Sequence, residues 1–425
     1  MATRTLPGRS SCNDDDETGL RLSGFFTFAD PPRAHVAEAV DRLTELGVAV
    51  KIVTGDNGAV AAHVCEKLGI DPGTVRTGSE LDALDDSALA ATIPDTTVFA
   101  RVSPQQKARI VEVAGRGDDD VAFLGDGVND AVALHAAHVG ISVESARDVA
   151  KDAADIVLLD KDLAVVADSV MEGRRTFANT MKYVLMATSS NFGNMFSAAG
   201  ASLFLSFLPM LPSQILLNNL LYDLGQLAIP TDRVDSEALA RPAAWDLALV
   251  RRFMWIFGPV SSLFDFTLFA VMLWVLHAGH TEFRTGWFVE SLATQTLVVF
   301  LIRTRRVPFT RSRPSPAMLI LPPTAAAAGI ALPFTPLASP LGFITLPLAL
   351  FSMLLALTIT YLLLIEVAKA RFFRVAPAVS APAHDGRAEH RHRVHRRAAR
   401  FVRVRSTRRR ARARDHPAST SGATI

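Results

Sequence analysis

Two carboxylates and an amide lie close together in the segment Gly125–Ala131, whose sequence is GDGVNDA. The apolar run Val121–Leu124 comes directly before this segment and predicts a β-strand. Asp126, Asn129 and Asp130 would then lie on a tight turn at the end of a strand, where open α/β sheets hold their ligands. Carboxylate and amide oxygens suit a hard cation, so the segment predicts a Mg²⁺ site in preference to an acidic surface turn.

A second polar group follows another predicted strand, Val48–Val53. Thr54, Gly55 and Asp56 come at its end, where the hydroxyl of Thr54 and the amide of Gly55 could hold phosphoryl oxygens. Lys107 lies in the first turn of a helix that Pro104 is expected to begin. Its ammonium group could neutralise a phosphoryl group in transfer, although a lysine at such a place is more often simply solvated.

Together these segments resemble the motifs of the P-type cation-transporting ATPases, whose phosphorylation domain has the haloacid-dehalogenase fold. The resemblance implies that Asp126 binds the catalytic Mg²⁺ and that Asn129 and Asp130 complete the site. It also implies a substrate, ATP, and a set of residues that contact its transferred phosphoryl group, namely Thr54, Gly55, Asp56 and Lys107. The segment Asp30–Arg33, with two prolines, is similar to the family's hinge before this domain.

The region 20–170 alternates short β-rich runs with amphipathic helical stretches, which is typical of a parallel sheet covered by helices. Its fold class is therefore predicted as an α/β haloacid-dehalogenase-like (Rossmannoid) phosphorylation domain. The expected strands are Val48–Val53, Thr97–Ala100, Val121–Leu124 and Ile156–Leu159, and the expected helices are Pro32–Leu46, Ala59–Leu68 and Pro104–Ala114. The polar start, residues 1–19, matches nothing in the family and is not a secretory signal peptide.

The family's nucleophile is the aspartate of an Asp-Lys-Thr-Gly-Thr string, and the sequence contains no such string. The resemblance runs only from about Leu20 to about Phe373, so the phosphorylation domain is expected to be incomplete. Without that aspartate no aspartyl-phosphate can form. We therefore expect this chain alone to show neither ATPase activity nor acid-stable phosphorylation.

Beyond Tyr183 the chain becomes strongly apolar, and its mean hydropathy of +0.25 is too high for an ordinary soluble enzyme. We predict a stalk helix at 171–182 and an α-helical membrane domain of six transmembrane helices at 183–370. The six spans are Tyr183–Phe207, Leu211–Ile229, Phe253–His277, Trp287–Ile302, Ala317–Phe334 and Phe343–Val367. Arginines are concentrated before the first span and in alternate loops, which predicts that both termini lie in the cytoplasm of a bacterial cell.

Several polar residues interrupt the predicted spans, where polar groups are costly and usually functional. Asn191 and Asn194 share one face of the first span, and Asn219 and Asp223 share one face of the second. These oxygens could hold a divalent cation, or the amides could simply bond helix to helix. The resemblance implies a transport site at these four positions, with Asp265 of the third span as a further pathway ligand.

Longer stretches resemble the magnesium-importing group of the family, which makes Mg²⁺ the expected transported cation; they are Glu172–Asn179, Asn219–Asp223 and Ile302–Phe309. The basic tail, residues 371–425, is predicted to be disordered and to lie near anionic lipid. Beyond Phe373 its only phenylalanine, tyrosine or tryptophan is Phe401, so it lacks the series of aromatic residues that nucleic-acid binding would use. Cys12 and Cys65 are expected to be free thiols. Two other functions stay open: a non-catalytic remnant or subunit that acts with a separately encoded N-terminal half, and a membrane-anchored phosphatase of the same fold.

Overall fold

The computed structural model of the protein describes residues 1–5, 13–14, 18–25, 35–117, 120–160, 162–375 and 423–424. These residues form two compact units, which are described separately below. The α/β unit comprises Met1–Ala167 together with the short strand at 423–424, and the helical unit begins at Asp168. The predicted hinge Asp30–Arg33, Cys12 and nearly all of the basic tail lie outside the described residues.

The α/β unit contains short strands and helices that alternate along the chain. Its strands are β1 (Ala2–Thr3), β2 (Arg21–Leu22), β3 (Ile52–Thr54), β4 (Thr74–Thr77), β5 (Thr96–Ala100), β6 (Ala122–Leu124), β7 (Val139–Val143), β8 (Ile156–Leu158) and β9 (Ala423–Thr424). Its helices are α1 (Val36–Glu45), α2 (Gly58–Lys67), α3 (Gly78–Asp82), α4 (Asp86–Thr92), α5 (Pro104–Gly115), α6 (Ala131–Ala136) and α7 (Asp148–Ala153).

The predicted parallel pairing is confirmed, but the strands form two separate sheets. One sheet has the order β4-β5-β3, all parallel, with β9 added antiparallel to β3. The other has the parallel order β6-β7-β8. The sequence did not predict β4 or β7, because the polar residues of TVRT and the glycine and serine of VGISV weaken the apolar signal of a strand.

One hydrophobic core joins the two sheets of this unit. Val53 and Phe99 from the first sheet and Phe123 from the second all belong to it and are at most 5% exposed. Buried side chains on one face of α5, among them Ile110 and Val111, pack into the same core. The loops after β3 and β6, which carry the predicted site, therefore extend from strands that are fixed by a shared interior.

Long helices make up the helical unit. The helices from Leu163 onward are α8 (Leu163–Ser202), α9 (Pro212–Gln226), α10 (Ser236–Leu239), α11 (Leu247–Ala270), α12 (His280–Leu297), α13 (Val299–Ile302), α14 (Pro316–Ala331) and α15 (Leu348–Val375). Among the described residues, four helical stretches are long and apolar enough to cross a membrane: Leu247–Val275, His280–Ile302, Pro316–Phe334 and Leu348–Arg374.

The prediction of six spans is therefore supported for the last four only. The first predicted span lies in the second half of α8, where serine, threonine and asparagine side chains lower the hydropathy. The second lies in α9, which has 15 residues and is about 22 Å long at about 1.5 Å per residue. That is shorter than a hydrocarbon core of about 30 Å. Spans at these two places remain a prediction.

Candidate functional site

Lys107 and Asp130 form a buried ion pair in the α/β unit. Their Nζ and Oδ1 atoms are 2.7 Å apart, and the two residues are 5% and 2% exposed. Ser103 fixes the start of α5, because its hydroxyl accepts a hydrogen bond from the Gln106 amide at 3.3 Å. Lys107 lies in the first turn of α5, as the sequence predicted, and its side chain extends toward the turn after β6.

The turn after β6 requires glycine at its first position. A Cβ atom on Gly125 would lie 2.6 Å from the Cβ of Asp130, closer than real side chains approach. The second oxygen of Asp130, Oδ2, accepts a hydrogen bond from the Gly127 amide at 3.1 Å. The Asp130 carboxylate is thus bound on one oxygen by a lysine and on the other by the backbone, which holds the turn in one conformation.

The loop after β3 is organised by Thr54. The buried hydroxyl of Thr54 donates to Oδ2 of Asp56 at 3.1 Å and accepts from the Asp56 amide at 3.0 Å. The Arg101 amide donates to the Asp56 carbonyl at 2.9 Å, which ties this loop to the end of β5. Gly55 and Asp56 are exposed, so the Gly55 amide and the Asp56 carboxylate can meet a ligand from solvent.

The oxygen donors of the two loops fit a hydrated magnesium ion in part. Asp126 is half-buried and Asn129 is exposed, whereas Asp130 is already engaged by Lys107 and Gly127. Among the described residues, no group of three or more acidic, histidine or cysteine side chains could by itself hold a metal ion. Mg²⁺ commonly takes one or two carboxylates and fills its other positions with water and phosphate oxygens, so Asp126 and Asn129 suit it.

Lys51, just before β3, gives the α/β unit a testable pH dependence. Burial lowers the pKa of Lys51 to about 6, against a smaller opposing effect of Asp95. In the unfolded chain the lysine pKa is about 10.4, so between these values the unfolded state binds a proton that the native state lacks. The free energy of unfolding should therefore rise with pH in this window, by at most about 1.4 kcal/mol per pH unit from this group.

Replacing Lys51 with methionine should remove that contribution. Pulse proteolysis in urea at pH 6.5 and pH 8.5, followed on fragments of the α/β unit, measures the change. The wild type should gain stability between the two pH values, and the Lys51→Met variant should gain clearly less. An equal gain in both proteins would show that Lys51 is charged in the native state.

A second group of polar side chains is buried in the helical unit, around Asp265 of α11. Oδ2 of Asp265 accepts a hydrogen bond from the Ser197 hydroxyl at 2.5 Å, and Oδ1 accepts one from Nε1 of Trp287 at 2.9 Å. The carboxyl group of Glu290 on α12 lies in contact with that of Asp265, and both residues are at most 3% exposed. Two buried carboxyl groups in contact attract positive charge.

Amide groups extend this cluster along α12. Nε2 of Gln295 donates to Oδ1 of Asn194 at 3.1 Å and also to the Ser291 hydroxyl. Nδ2 of Asn218 is 3.5 Å from the same hydroxyl. Among the residues that the structure describes, no donor reaches Oε2 of Glu290 or Oδ1 of Asn218, although both atoms are buried. The cluster therefore presents oxygens that a cation could bind.

The structure brings only part of the predicted transport site into this cluster. Asp265 and Asn194 belong to it, whereas Asn191, Asn219 and Asp223 are exposed on α8 and α9. Their roles remain predictions. Sequence reasoning missed Glu290, Ser291 and Gln295, although Glu290 is an acid within the predicted span Trp287–Ile302 and could have been found by that signal.

Comparison with known proteins gives two family matches. A model described as haloacid dehalogenase-like hydrolase matches residues 4–138, which begins before the start near Leu20 predicted from the motifs. A model described as Cation transporting ATPase, C-terminus, matches residues 207–371. The first match covers both loops of the α/β site, and the second covers most of the helical unit.

Individual relatives agree with these matches. The magnesium-transporting ATPase, P-type 1, of Escherichia coli is 48% identical over 379 residues, which are 88% of this chain and 42% of that protein. A protein of the same name from Salmonella typhimurium is 45% identical over 380 residues, with the same coverage. The probable cation-transporting ATPase F of Mycobacterium tuberculosis is 38% identical over 231 residues, which are 52% of this chain and 26% of that protein.

The chain thus spans less than half the length of the magnesium-transporting relatives that it matches. Three observations indicate the same family: the hydrolase-like α/β unit, the apolar helical unit and the sequence identity to these relatives. The chain belongs to the P-type cation-transporting ATPases, and it corresponds to the C-terminal portion of their magnesium-transporting members.

Proposed function

We propose that this chain is part of a pump that couples ATP hydrolysis to Mg²⁺ transport. It would supply the portion that conducts the cation and a part of the catalytic portion. The buried oxygen cluster around Asp265 and Glu290 carries this proposal, because a membrane protein rarely buries two carboxyl groups without a function for them. The names of the relatives support magnesium as the cation. The remaining length of those relatives would supply the parts of the pump that this chain does not cover.

In the α/β unit, the proposal gives the two loops complementary roles. The Gly55 amide and the hydroxyl of Thr54 would bind phosphoryl oxygens, and Asp126 and Asn129 would hold a Mg²⁺ ion that neutralises charge on the transferring group. The ion pair supports a positioning role for Asp130, since its carboxylate keeps Lys107 at the turn where that ion would bind. A phosphoryl group that arrives there would meet the Lys107 ammonium already desolvated and oriented.

In the helical unit, the exposed polar residues of α8 and α9 support a larger assembly. Asp223 and Asn219 are exposed in this chain, and a carboxylate that faced hydrocarbon would be costly. Further helices of the complete pump would cover this face, so that α8 and α9 become the first two of six spans. Alternate loops rich in arginine support cytoplasmic termini and a bacterial cytoplasmic membrane.

Three alternatives follow from the same observations. A split pump would use this chain as a subunit beside a separate N-terminal half, and a remnant would fold without turnover. A membrane-anchored phosphatase would use the same α/β fold but would also need a nucleophilic aspartate. The buried carboxyl pair of the helical unit favours a cation-binding role over the phosphatase, because phosphatase chemistry gives no reason to place acids at membrane depth.

Trp287 provides a direct test of cation binding, because its indole donates to Asp265. Purified chain in detergent should show a saturable change in tryptophan emission on titration with Mg²⁺. In the Asp265→Asn and Glu290→Gln variants the apparent dissociation constant should rise about tenfold or more, which is about 1.4 kcal/mol or more of lost binding energy.

Two controls make this titration specific. Glu282→Gln changes an acid in the first turn of α12, the helix that carries Glu290, but outside the cluster. Asp126→Asn changes the α/β site. Both should leave the emission titration unchanged. An unaltered titration in the Asp265→Asn and Glu290→Gln variants, or no saturable response in the wild type, would refute the cluster as a cation site.

A further inference from the structure

A pocket of about 340 Å³ opens at the start of α14 and shares no residue with either site described above. Its lining residues are two arginines and four apolar side chains: Arg233, Arg313, Phe309, Pro314, Pro316 and Leu319. Both arginines are exposed, so their guanidinium groups lie where a ligand from outside can reach them. The pocket therefore combines positive charge with an apolar wall.

A buried arginine holds the two pocket arginines side by side. Nη2 of Arg303 donates to the carbonyl of Arg233 at 3.3 Å and to the carbonyl of Arg313 at 3.2 Å. The Lys182 ammonium donates to the Arg233 carbonyl at 3.0 Å. Because these contacts use backbone atoms, the pocket is positioned without engaging the side chains of Arg233 and Arg313. Two guanidinium groups carried by backbone segments that are held close together are suited to a phosphate group.

The apolar wall is also built, since Phe309 is held in an unfavourable backbone conformation. Its φ angle is 61°, in the left-handed region that bulky residues avoid. The ring packs on Phe300 at a centroid distance of 5.3 Å, yet Phe309 remains 51% exposed. Such strain persists where the surrounding structure enforces it and is typical of binding sites.

The position of the pocket identifies its ligand. Pro316 begins both α14 and a stretch apolar enough to cross a membrane, so the pocket lies at the level of lipid headgroups. Leu319 and Ile320, the first outward apolar residues of α14, are 51% and 62% exposed and offer a surface to acyl chains. We propose that this pocket binds the headgroup phosphate of an anionic phospholipid, with Arg233 and Arg313 on the phosphate and Phe309 and Leu319 against the upper acyl chain.

This inference requires only that α14 crosses a membrane, and it is independent of magnesium transport. Native mass spectrometry of the detergent-purified full chain, titrated with phosphatidylglycerol or phosphatidylcholine, measures binding of each lipid. The Arg233→Gln/Arg313→Gln double variant should bind phosphatidylglycerol about tenfold more weakly or worse, because each arginine near the surface contributes to anionic-lipid binding. Its weak binding of phosphatidylcholine should be unchanged.

A matched control removes the same charge elsewhere. Arg241 and Arg251 are exposed in the same unit and do not line the pocket, so the Arg241→Gln/Arg251→Gln variant should bind phosphatidylglycerol as the wild type does. Tryptophan emission verifies that both variants are folded. Equal losses in the two double variants would show a general charge effect and overturn the proposal. Wild-type binding in the pocket variant would also overturn it, as would displacement of the lipid by equimolar inorganic phosphate, which would indicate a site for a soluble ligand.

Discussion

Replacing Lys107 with methionine is expected to lower the free energy of unfolding of the α/β unit by about 3 to 5 kcal/mol. The substitution keeps the apolar stem of the side chain but leaves the Asp130 carboxylate, 2% exposed, without its cation. A buried charge that has lost its partner is far more costly than a lost surface contact. The turn after β6 should loosen as well, because Asp130 also fixes Gly127.

The measurement must report on the α/β unit alone. All four tryptophans and all three tyrosines of the chain lie at position 183 or later, so intrinsic fluorescence follows only the helical unit. Hydrogen exchange of peptides that cover β6 and α6, or pulse proteolysis in urea, gives the stability of the correct unit.

Lys151→Met is the matched control, because Lys151 pairs at 3.3 Å with Asp148, whose side chain is 93% exposed. An exposed pair of this kind contributes at most about 1 kcal/mol. Asp130→Asn should destabilise the unit as Lys107→Met does, and the double variant should cost clearly less than the sum of the two single changes. If Lys107→Met and Lys151→Met lowered the free energy of unfolding by similar amounts, the result would contradict a buried ion pair at this turn.

In the α/β unit, the sequence predicted the positions of the two candidate loops, because each depends on a local pattern. The strings around Thr54 and Asp126 each follow an apolar strand, and both were placed correctly at strand ends. The contact between Lys107 and Asp130 was not predicted, since it joins residues 23 positions apart and depends on how α5 packs. The division into two sheets was also not predicted, because strand order is set by tertiary packing and not by the pattern within a strand.

In the helical unit, the sequence did not show which face of a helix is buried. On α9, Asn219 and Asp223 are four residues apart, and so are Asn218 and Tyr222, so both faces show polar residues at helical spacing. In the structure Asn218 and Tyr222 are buried, while Asn219 and Asp223 are exposed. Neighbouring side chains such as Ser291 decide which face turns inward, and their positions cannot be deduced from α9 alone.

Asp232, in the loop after α9, is expected to be the most sensitive position of the helical unit. Its fully buried carboxylate accepts from Nζ of Lys182 at 2.7 Å and from Nε of Arg303 at 2.8 Å through Oδ2, and from the Ser315 amide at 3.2 Å through Oδ1. One side chain thus connects α8, the end of α13 and the start of α14. Asp232→Asn keeps the shape of the side chain but leaves two largely buried cations without their counter-ion. We expect a loss of about 3 to 5 kcal/mol.

Thermal unfolding in detergent, followed by tryptophan emission, measures this loss, because all four tryptophans lie in the helical unit. For a unit of about 200 residues, each kcal/mol shifts the midpoint by about 2 to 4 °C, so a decrease of about 10 °C is expected. Glu237→Gln is the control, since Glu237 pairs with Arg306 but its side chain is 71% exposed. This surface pair contributes at most about 1 kcal/mol, so the thermal midpoint of the Glu237→Gln variant should stay within a few degrees of that of the wild type. If Asp232→Asn unfolded at the same temperature as Glu237→Gln, Asp232 would not be the counter-ion that holds these helices together.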